Sequence, residues 1–380
     1  MLTSARRLVP AAGLAAHIGH GVQRIATDAV IGGMRSLPRH IGHLDAGHLS
    51  RLTGHRVESV SVIGGDAGTS SRARLALSGP NDVPESVFVK MPAETVATRM
   101  MGELGRLAHT EVRFYQQLAE GLPGVPRAHG AAFDALTGRF VLVLEDLTLQ
   151  ACEFPDTLHP LDKDRAALTV QLLARVHAAF WDRLPKRSGR GPLGWLYSAS
   201  GDHTSLLTGS LLKLSTKRLA ESTDIPVADG RFIDENYRAA AQLLDQGPHT
   251  VMHGDAHPGN LFFRNGEAGL LDWQAVRRGH PGRELAYTLI TSMTTADRQA
   301  AERDLLDEYR SALAAAGGPT LDRDELWSRY RLGAIYGYAA PVITAGLGGM
   351  QDEGIATEGA KRGVAALADL ETVAMLKKLL

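Results

Sequence analysis

The stretch Val251–Phe263, VMHGDAHPGNLFF, sets Asp255 and Asn260 five residues apart, with His253 and His257 beside them and apolar runs on both flanks. Twelve residues beyond Asn260 the run GLLD ends at Asp272, followed by Trp273 and Gln274. NLFF and AGLLDW read as short strands, and Asn265–Gly266 between them is a strong hairpin-turn signal. Such a hairpin, with Asn260 at its start and Asp272 at its end, would bring both side chains to one edge. Two oxygen ligands of this kind suit Mg²⁺, which takes few protein ligands and fills its octahedron with phosphate and water. Asp255, one loop away and not needed by the metal, is then free to face a substrate hydroxyl as proton acceptor. The chemistry implied is phosphoryl transfer. Each residue alone is also an ordinary turn or capping residue, since Asp, Asn and Gly favour such sites. Their combined spacing favours catalysis.

Phosphoryl transfer needs a held nucleotide, and the N-terminal half supplies candidates. IGGDAGTSSRARL (63–75) joins two strands through Gly64, Gly65 and Gly68. Glycines let backbone N–H groups approach phosphate oxygens, and Thr69, Ser70 and Ser71 add hydroxyl donors. Gly-rich hairpins are common, and this one is not the phosphate loop that precedes a helix. Lys90 lies in the apolar run VFVKM, where a lysine is costly unless paired or facing a cleft. The next helix offers Glu103 and Glu111 as partners; Glu111 is preferred because it sits mid-helix, whereas carboxylates near a helix start are common for dipole reasons alone. The plainer readings are an edge-strand lysine that blunts aggregation and an exposed helix carboxylate. At the end of FVLVLEDL, the backbone of Glu145–Leu147 could bind an adenine edge.

The elements that must position these residues follow from the periodicity. RVESVSVI, SRARLALS and ESVFVKM alternate as strands, residues 99–119 read as one helix, and RAHGAAFD and RFVLVLED are two further strands. From about residue 148 the pattern turns mainly helical, with helices over 162–182, 232–246, 284–293, 297–316, 323–340 and 356–379. The expectation is an α+β fold of two lobes with a cleft between them: a helical extension (1–44), a small β-rich lobe with one helix (45–147) that binds nucleotide, and a larger, mainly helical lobe (148–380).

Composition bounds the function class. The chain has 380 residues, net charge −1, 44% hydrophobic and 22% charged residues, ordinary for a globular protein. No overall field favours nucleic acid or an anionic membrane. The one cysteine, Cys152, forms no internal disulfide, which fits a reducing cytoplasm. The N-terminal run is short, broken by Pro10 and followed by His17 and His20, so a secretory signal is not expected. No apolar run reaches the roughly 20 residues that span a bilayer. His253 and His257 lack the further Cys/His spacing of a zinc site.

The set GGDAGTSSR, FVKM, HTEVRFY, VLVLEDL, HGDAHPGN and LLDWQ resembles the aminoglycoside phosphotransferase and choline kinase group of small-molecule kinases over residues 56–340. Together with ARVHAAFW (174–181), it is most similar to the ecdysteroid-kinase-like branch. The resemblance implies a protein-kinase-like fold and ATP and Mg²⁺ as cofactors. It implies Asp255 as catalytic aspartate, Asn260 and Asp272 as metal ligands, and Lys90 as phosphate-binding lysine with Glu111 as partner. His253 and His257 would order the catalytic loop. Glu284 stands where relatives often have Asp and would anchor that loop, and Gln274 replaces a carboxylate found in many members. A protein kinase is the runner-up by fold, but Asp272 is followed within about a dozen residues by the helical run PGRELAYTLI, leaving little room for a peptide-docking segment. That points to a small hydroxyl acceptor. If the segment 330–349 lines its site, an uncharged or lipophilic alcohol fits better than a polycation. The competing class is a non-catalytic nucleotide-binding regulator of the same fold.

Overall fold

A computed structural model of the chain describes residues 2–185, 188–189 and 191–380. The chain divides into two compact units, Met1–Gly121 with Val125–Cys152, and Leu122–Gly124 with Glu153–Leu380.

In the first unit, helices α1 (Leu2–Ile31) and α2 (Ala46–Thr53) precede strands β1 (Ser59–Ala67), β2 (Ser70–Ser78) and β3 (Ser86–Pro92). Helices α3 (Val96–Gly105) and α4 (Leu107–Gln117) follow, then β4 (Ala128–Phe133) and β5 (Phe140–Glu145). The five strands form one antiparallel sheet in the order β1-β2-β3-β5-β4. Alternation on β3 puts Val87, Val89 and Met91 on one face, in a core with Leu49 of α2 and Leu75 and Val143 of the sheet. Lys90 falls on the opposite face. Asp146, just past β5, is buried and accepts from Arg74 (2.8 Å), Ser86 (2.6 Å) and Thr148 (2.6 Å). Burial alone would raise this carboxyl; those hydrogen bonds outweigh it and hold it below the usual carboxylate range.

The N-terminal helix is tied into this unit by charge. Asp28 is fully buried and pairs with Arg99 of α3 (2.7 Å) and with Arg139. Arg24 pairs with Glu103 at 2.9 Å.

The second unit begins its regular structure with β6 (Cys152–Glu153), at the boundary, and continues with α5 (Lys163–Phe180), α6 (Ser205–Ser222) and α7 (Arg231–Leu244). Then come β7 (Thr250–Met252), the hairpin β8 (Leu261–Arg264) and β9 (Glu267–Leu270), and β10 (Arg277–Gly279), which pairs with β7. Helices α8 (Pro281–Ser292), α9 (Thr295–Ala315), α10 (Arg323–Leu347), α11 (Glu353–Asp369) and α12 (Thr372–Leu379) complete it. No helix among the described residues is long and apolar enough to cross a membrane. Helix α8 is buried along its whole length. A seam of small residues lets α10 lie close on it: a Cβ on Gly333 would stand 2.5 Å from the Gly282 carbonyl, and one on Gly337 2.6 Å from Ile290.

Several elements differ from the sequence reading. The helix expected over 99–119 is two, because Arg106 takes a left-handed conformation (φ 55°) between α3 and α4. The one expected over 356–379 likewise breaks at Glu371 (φ 50°). Helix α10 runs past Pro341 to Leu347 instead of stopping before the proline. Gly64 and Gly65 lie within β1, which bulges between Val62 and Gly64, and the turn itself is confined to the residues around Gly68. Helix α6 was not foreseen: its buried stripe is only Leu212, Ser215 and Leu219, while Leu211 and Leu214 are exposed, which blurs the helical period.

Asp28→Ala would leave two buried guanidinium groups without their carboxylate. We expect the first unit to lose about 3–5 kcal/mol, read as a lowered urea midpoint with an unchanged slope. A midpoint equal to wild type would show that α1 contributes nothing to this unit's stability.

Candidate active site

The Asn265–Gly266 turn closes β8 onto β9 with both residues at positive φ (54° and 78°), the type I′ geometry that such hairpins favour. Leu261 pairs with Leu270, and beyond that pair Leu271 N donates to the Asn260 carbonyl at 2.8 Å. Asn260 and Asp272 are thereby carried to one end of the hairpin. Asp272 is itself left-handed (φ 58°, ψ 62°), a conformation a non-glycine residue holds at a cost.

The loop between β7 and β8 closes on this end. Asn260 Nδ2 donates to the Asp255 carbonyl at 2.9 Å and lies 3.4 Å from Asp255 Oδ2. His253 is fully buried, and burial pushes its imidazole below the usual histidine range, so it is neutral. Its Nε2 donates to the Leu271 carbonyl at 2.7 Å while Nδ1 accepts from Asp255 N at 3.2 Å, which fixes the tautomer. His253 therefore ties the Asp255 loop to the strand leading into Asp272. At Gly254 (φ 85°) a Cβ would come within 2.1 Å of the Ala275 carbonyl, so only glycine fits. His257 Nδ1 accepts from Gly259 N at 3.1 Å, and its Nε2 is 3.9 Å from Asp255 Oδ2.

Helix α8 holds the loop from beneath. Glu284 is buried and accepts from Gly254 N (2.5 Å), His253 N (3.2 Å) and His177 Nε2 (2.8 Å). His177 Nδ1 is in turn 2.9 Å from the Tyr309 hydroxyl. Burial would raise the Glu284 carboxyl, but the hydrogen bond and charge of His177, with help from His253 and Gly254 N, keep it below the usual range. One turn on, Tyr287 donates its hydroxyl to Asp255 Oδ1 at 2.7 Å. Tyr336 of α10 donates to the Gly254 carbonyl at 2.9 Å, and its ring lies 5.0 Å from that of Tyr287. The Arg283 guanidinium sits 3.8 Å over the Tyr336 ring.

In the first unit, Lys90 Nζ is 2.7 Å from Glu111 Oε2 and 2.8 Å from Oε1, with both side chains at least 95% buried. Glu103, the other partner weighed from sequence, is bound to Arg24 instead. Gly65 fits closely, a Cβ there falling 2.7 Å from the Arg72 carbonyl, and Gly68 N donates to the Ser70 carbonyl at 3.0 Å. Thr69 lies in the tip of this hairpin, beside Gly68. Glu145 accepts from Arg127 N at 2.8 Å, and buried Leu147 begins a short 3-10 turn capped by Asp146. The structure thus brings Asp255, Asn260, Asp272, His253, His257 and Glu284 together in one unit, and joins Lys90 with Glu111 in the other.

Sequence reasoning missed Tyr287, Tyr336 and His177. Tyr287 had a signal available, since it stands three residues after Glu284 and must share its helix face. Tyr336 had none, because nothing in the sequence says which face of α10 meets the loop.

Among the described residues no three or more His, Cys, Asp or Glu form a metal cluster. The donor set that remains, one amide oxygen and one carboxylate, is of the hard, sparse kind that Mg²⁺ takes. Asn260 fits such a role, because its Nδ2 is spent on the Asp255 carbonyl and Oδ1 is the atom left for a cation.

The arrangement is that of a protein-kinase-like α+β fold. A choline kinase from Cryptosporidium parvum Iowa II shares it at 10% identity, with a TM-score of 0.53 over 92% of this chain and 97% of that one. A variant of aminoglycoside 2′-phosphotransferase-IIIa, solved in its GDP complex, is similar at 12% identity and a TM-score of 0.51, over 83% and 94%. No curated protein matches the sequence. A profile of the phosphotransferase enzyme family matches residues 94–331, more than half of the chain, and the protein belongs to that family.

His280 caps α8 by accepting from Gly282 N at 3.1 Å. Burial first, and the Arg329 charge second, push its pKa down to about 3. The unfolded imidazole titrates near pH 6.5, so below that pH the unfolded chain takes up a proton that the folded one refuses. Stability from this residue is whole above about pH 6.5 and falls as pH drops toward the folded value, by about 2 kcal/mol at pH 5. His280→Asn keeps a capping acceptor without the titration. Urea unfolding at pH 7 and pH 5 should show a smaller difference for the variant; an equal difference would contradict the assignment.

Proposed function

We propose that the protein transfers the γ-phosphoryl group of ATP, carried as its Mg²⁺ complex, to a hydroxyl of a small organic molecule. One observation carries this reading: Asp255, Asn260 and the approach to Asp272 are bonded into a single rigid edge, with Glu284 and His253 fixing the backbone. Positioning of that order is what phosphoryl transfer asks of a protein, because the chemistry is mostly orientation and charge stabilisation.

In this reading Asp255 takes the acceptor's proton. Tyr287 occupies Oδ1, so Oδ2 is the oxygen turned to the hydroxyl. Asn260 Oδ1 and the Asp272 carboxylate would hold Mg²⁺, which when bound neutralises charge on the nucleotide's phosphates. Lys90, held in place by Glu111, would supply a further cation to those phosphates. The hairpin at Gly65 and Gly68, with the hydroxyls of Thr69 and Ser70, would line them, and the backbone of Glu145–Leu147 would take the adenine edge.

For the acceptor, the partly exposed Tyr336, packed on the buried Tyr287, puts aromatic surface near Asp255. Most of the segment 330–349 packs between helices: Tyr330, Leu332, Ile335, Tyr338 and Val342 are buried. Its part in the site narrows to Tyr336. Met350 is exposed, and the neighbouring Gln351 amide lies 3.4 Å from His257. Aromatic and apolar surface favours an uncharged or lipophilic alcohol over a polycation, which would want several carboxylates.

Asp255→Asn should leave Mg²⁺–ATP binding near wild type and lower transfer to a confirmed acceptor by at least about 100-fold. Asp272→Ala should weaken Mg²⁺–ATP binding itself by more than about tenfold. The acceptor is found by screening ADP release over sugars, amino alcohols, sterols and antibiotics, and calorimetry gives the binding. Full turnover by Asp255→Asn would remove the proposed base, and unchanged binding by Asp272→Ala would remove the metal role.

A further inference from the structure

A groove of about 450 Å³ lies on the second unit, walled by α6 and the region leading into α7. Lys213, Thr216 and Lys217 line one side, and Arg231, Asp234 and Glu235 the other. Helix α10 separates it from Asp255. Tyr336 and Tyr338 are two residues apart on α10, about 200° of helical rotation, so their phenols leave the helix on opposite sides. That of Tyr336 reaches the Gly254 carbonyl at 2.9 Å; that of Tyr338 donates to Asp234 Oδ1, also at 2.9 Å. A ligand in the groove is therefore a helix's thickness away from the acceptor hydroxyl at Asp255.

Asp234 is only 5% exposed, yet it is one of the residues that line this open groove. The side chain that hydrogen-bonds its carboxyl is the neutral hydroxyl of Tyr338, which is itself 3.4 Å from the Thr216 hydroxyl. Burial raises the carboxyl above the usual range, against the hydrogen bond of Tyr338 and the charge of Lys213, which acts from beyond ion-pair distance. A buried carboxylate with neutral partners is costly in a core. At the floor of a groove the same cost is relieved by a ligand that brings a positive charge.

The rim has the opposite character. Lys213 and Arg231 are exposed and have neither an ion pair nor a hydrogen bond among the described residues. Lys217 is engaged only loosely, 3.9 Å from Glu221. The lining carries three cations (Lys213, Lys217, Arg231) and three acids (Glu221, Asp234, Glu235), so its summed charge favours neither a simple anion nor a simple cation. Of the charges without an ion pair among the described residues, Asp234 lies at the floor, while Lys213, Arg231 and Glu235 lie at the rim, where the cations outnumber the acid. The complement of that pattern is a molecule with both signs at a fixed separation.

We propose that this groove is a second binding site, for a small zwitterion whose ammonium group meets Asp234 and whose anionic group meets Lys213 and Arg231. Nothing in this depends on the phosphotransfer reading.

Calorimetry on the full chain tests it with glycine, β-alanine, 4-aminobutyrate, 6-aminohexanoate and O-phosphoethanolamine. Butylamine and butyrate serve as controls of single charge. We expect at least one zwitterion to bind, with the controls at least tenfold weaker. Asp234→Asn keeps an oxygen for Tyr338 and should weaken binding at least tenfold; Lys213→Ala with Arg231→Ala, at exposed positions that spare the fold, should do the same. Asp255→Asn should bind as wild type. The proposal is overturned if no zwitterion binds, if the controls bind equally, or if the rim variant binds normally. Binding lost in Asp255→Asn would also overturn it, by moving the ligand to the catalytic loop.

Discussion

The buried carboxylate of Glu284 sets the geometry of the candidate site. It stands in the first turn of α8, where the helix's positive end favours an acid, and accepts from two successive backbone N–H groups of the loop that bears Asp255. Its remaining demand is met by His177, which hands the contact on to Tyr309. A buried acid with these partners cannot be moved or replaced without leaving several donors unsatisfied. The rest of the unit is arranged so that this acid stays where it is. His280 and Pro281 start α8 at the right residue, and the glycines of α10 let that helix lie close enough for Tyr336 to hold the loop's far side.

Two backbone features complete the constraint. Gly254 turns beneath the Ala275 carbonyl where no side chain fits, and Asp272 is held left-handed at the end of the hairpin. Strain of this sort persists only where neighbouring bonds over-determine the backbone. Here the neighbouring bonds are those of His253, which grips the carbonyl before Asp272 with one ring nitrogen and the amide of Asp255 with the other. Tyr287 holds one oxygen of Asp255, and Asn260 Nδ2 lies 3.4 Å from the other. Orientation is built in before any ligand arrives, which suits a reaction whose acceleration comes from positioning and charge.

Much of this was legible in the sequence because the signals are local. Asn265–Gly266 declares a hairpin, and a hairpin fixes which residues share an end; Asn260 and Asp272 follow from that alone. A lysine in the apolar run VFVKM called for a partner, and the position of Glu111 in mid-helix made it the better one. What escaped was decided at a distance. Arg106 and Glu371 break helices through single left-handed residues that ordinary propensities do not mark. Helix α6 hides because two of its leucines face solvent and a serine faces the core. Pro341 is carried within α10 by tertiary packing that no local rule anticipates. Tyr336 and Tyr338 look alike in the sequence, yet one holds the Asp255 loop and the other the opposite face of the helix.

The central claim is that the edge formed by Asp255, Asn260 and Asp272 moves a phosphoryl group to an alcohol. Phosphorus NMR follows this most directly, on the wild-type protein with Mg²⁺, ATP and a panel of uncharged and lipophilic alcohols. With one acceptor or more, the γ-phosphate signal should give way to a new phosphomonoester resonance, with matching growth of ADP. ATP that binds and stays intact across the whole panel, or yields only inorganic phosphate with every alcohol, would contradict it.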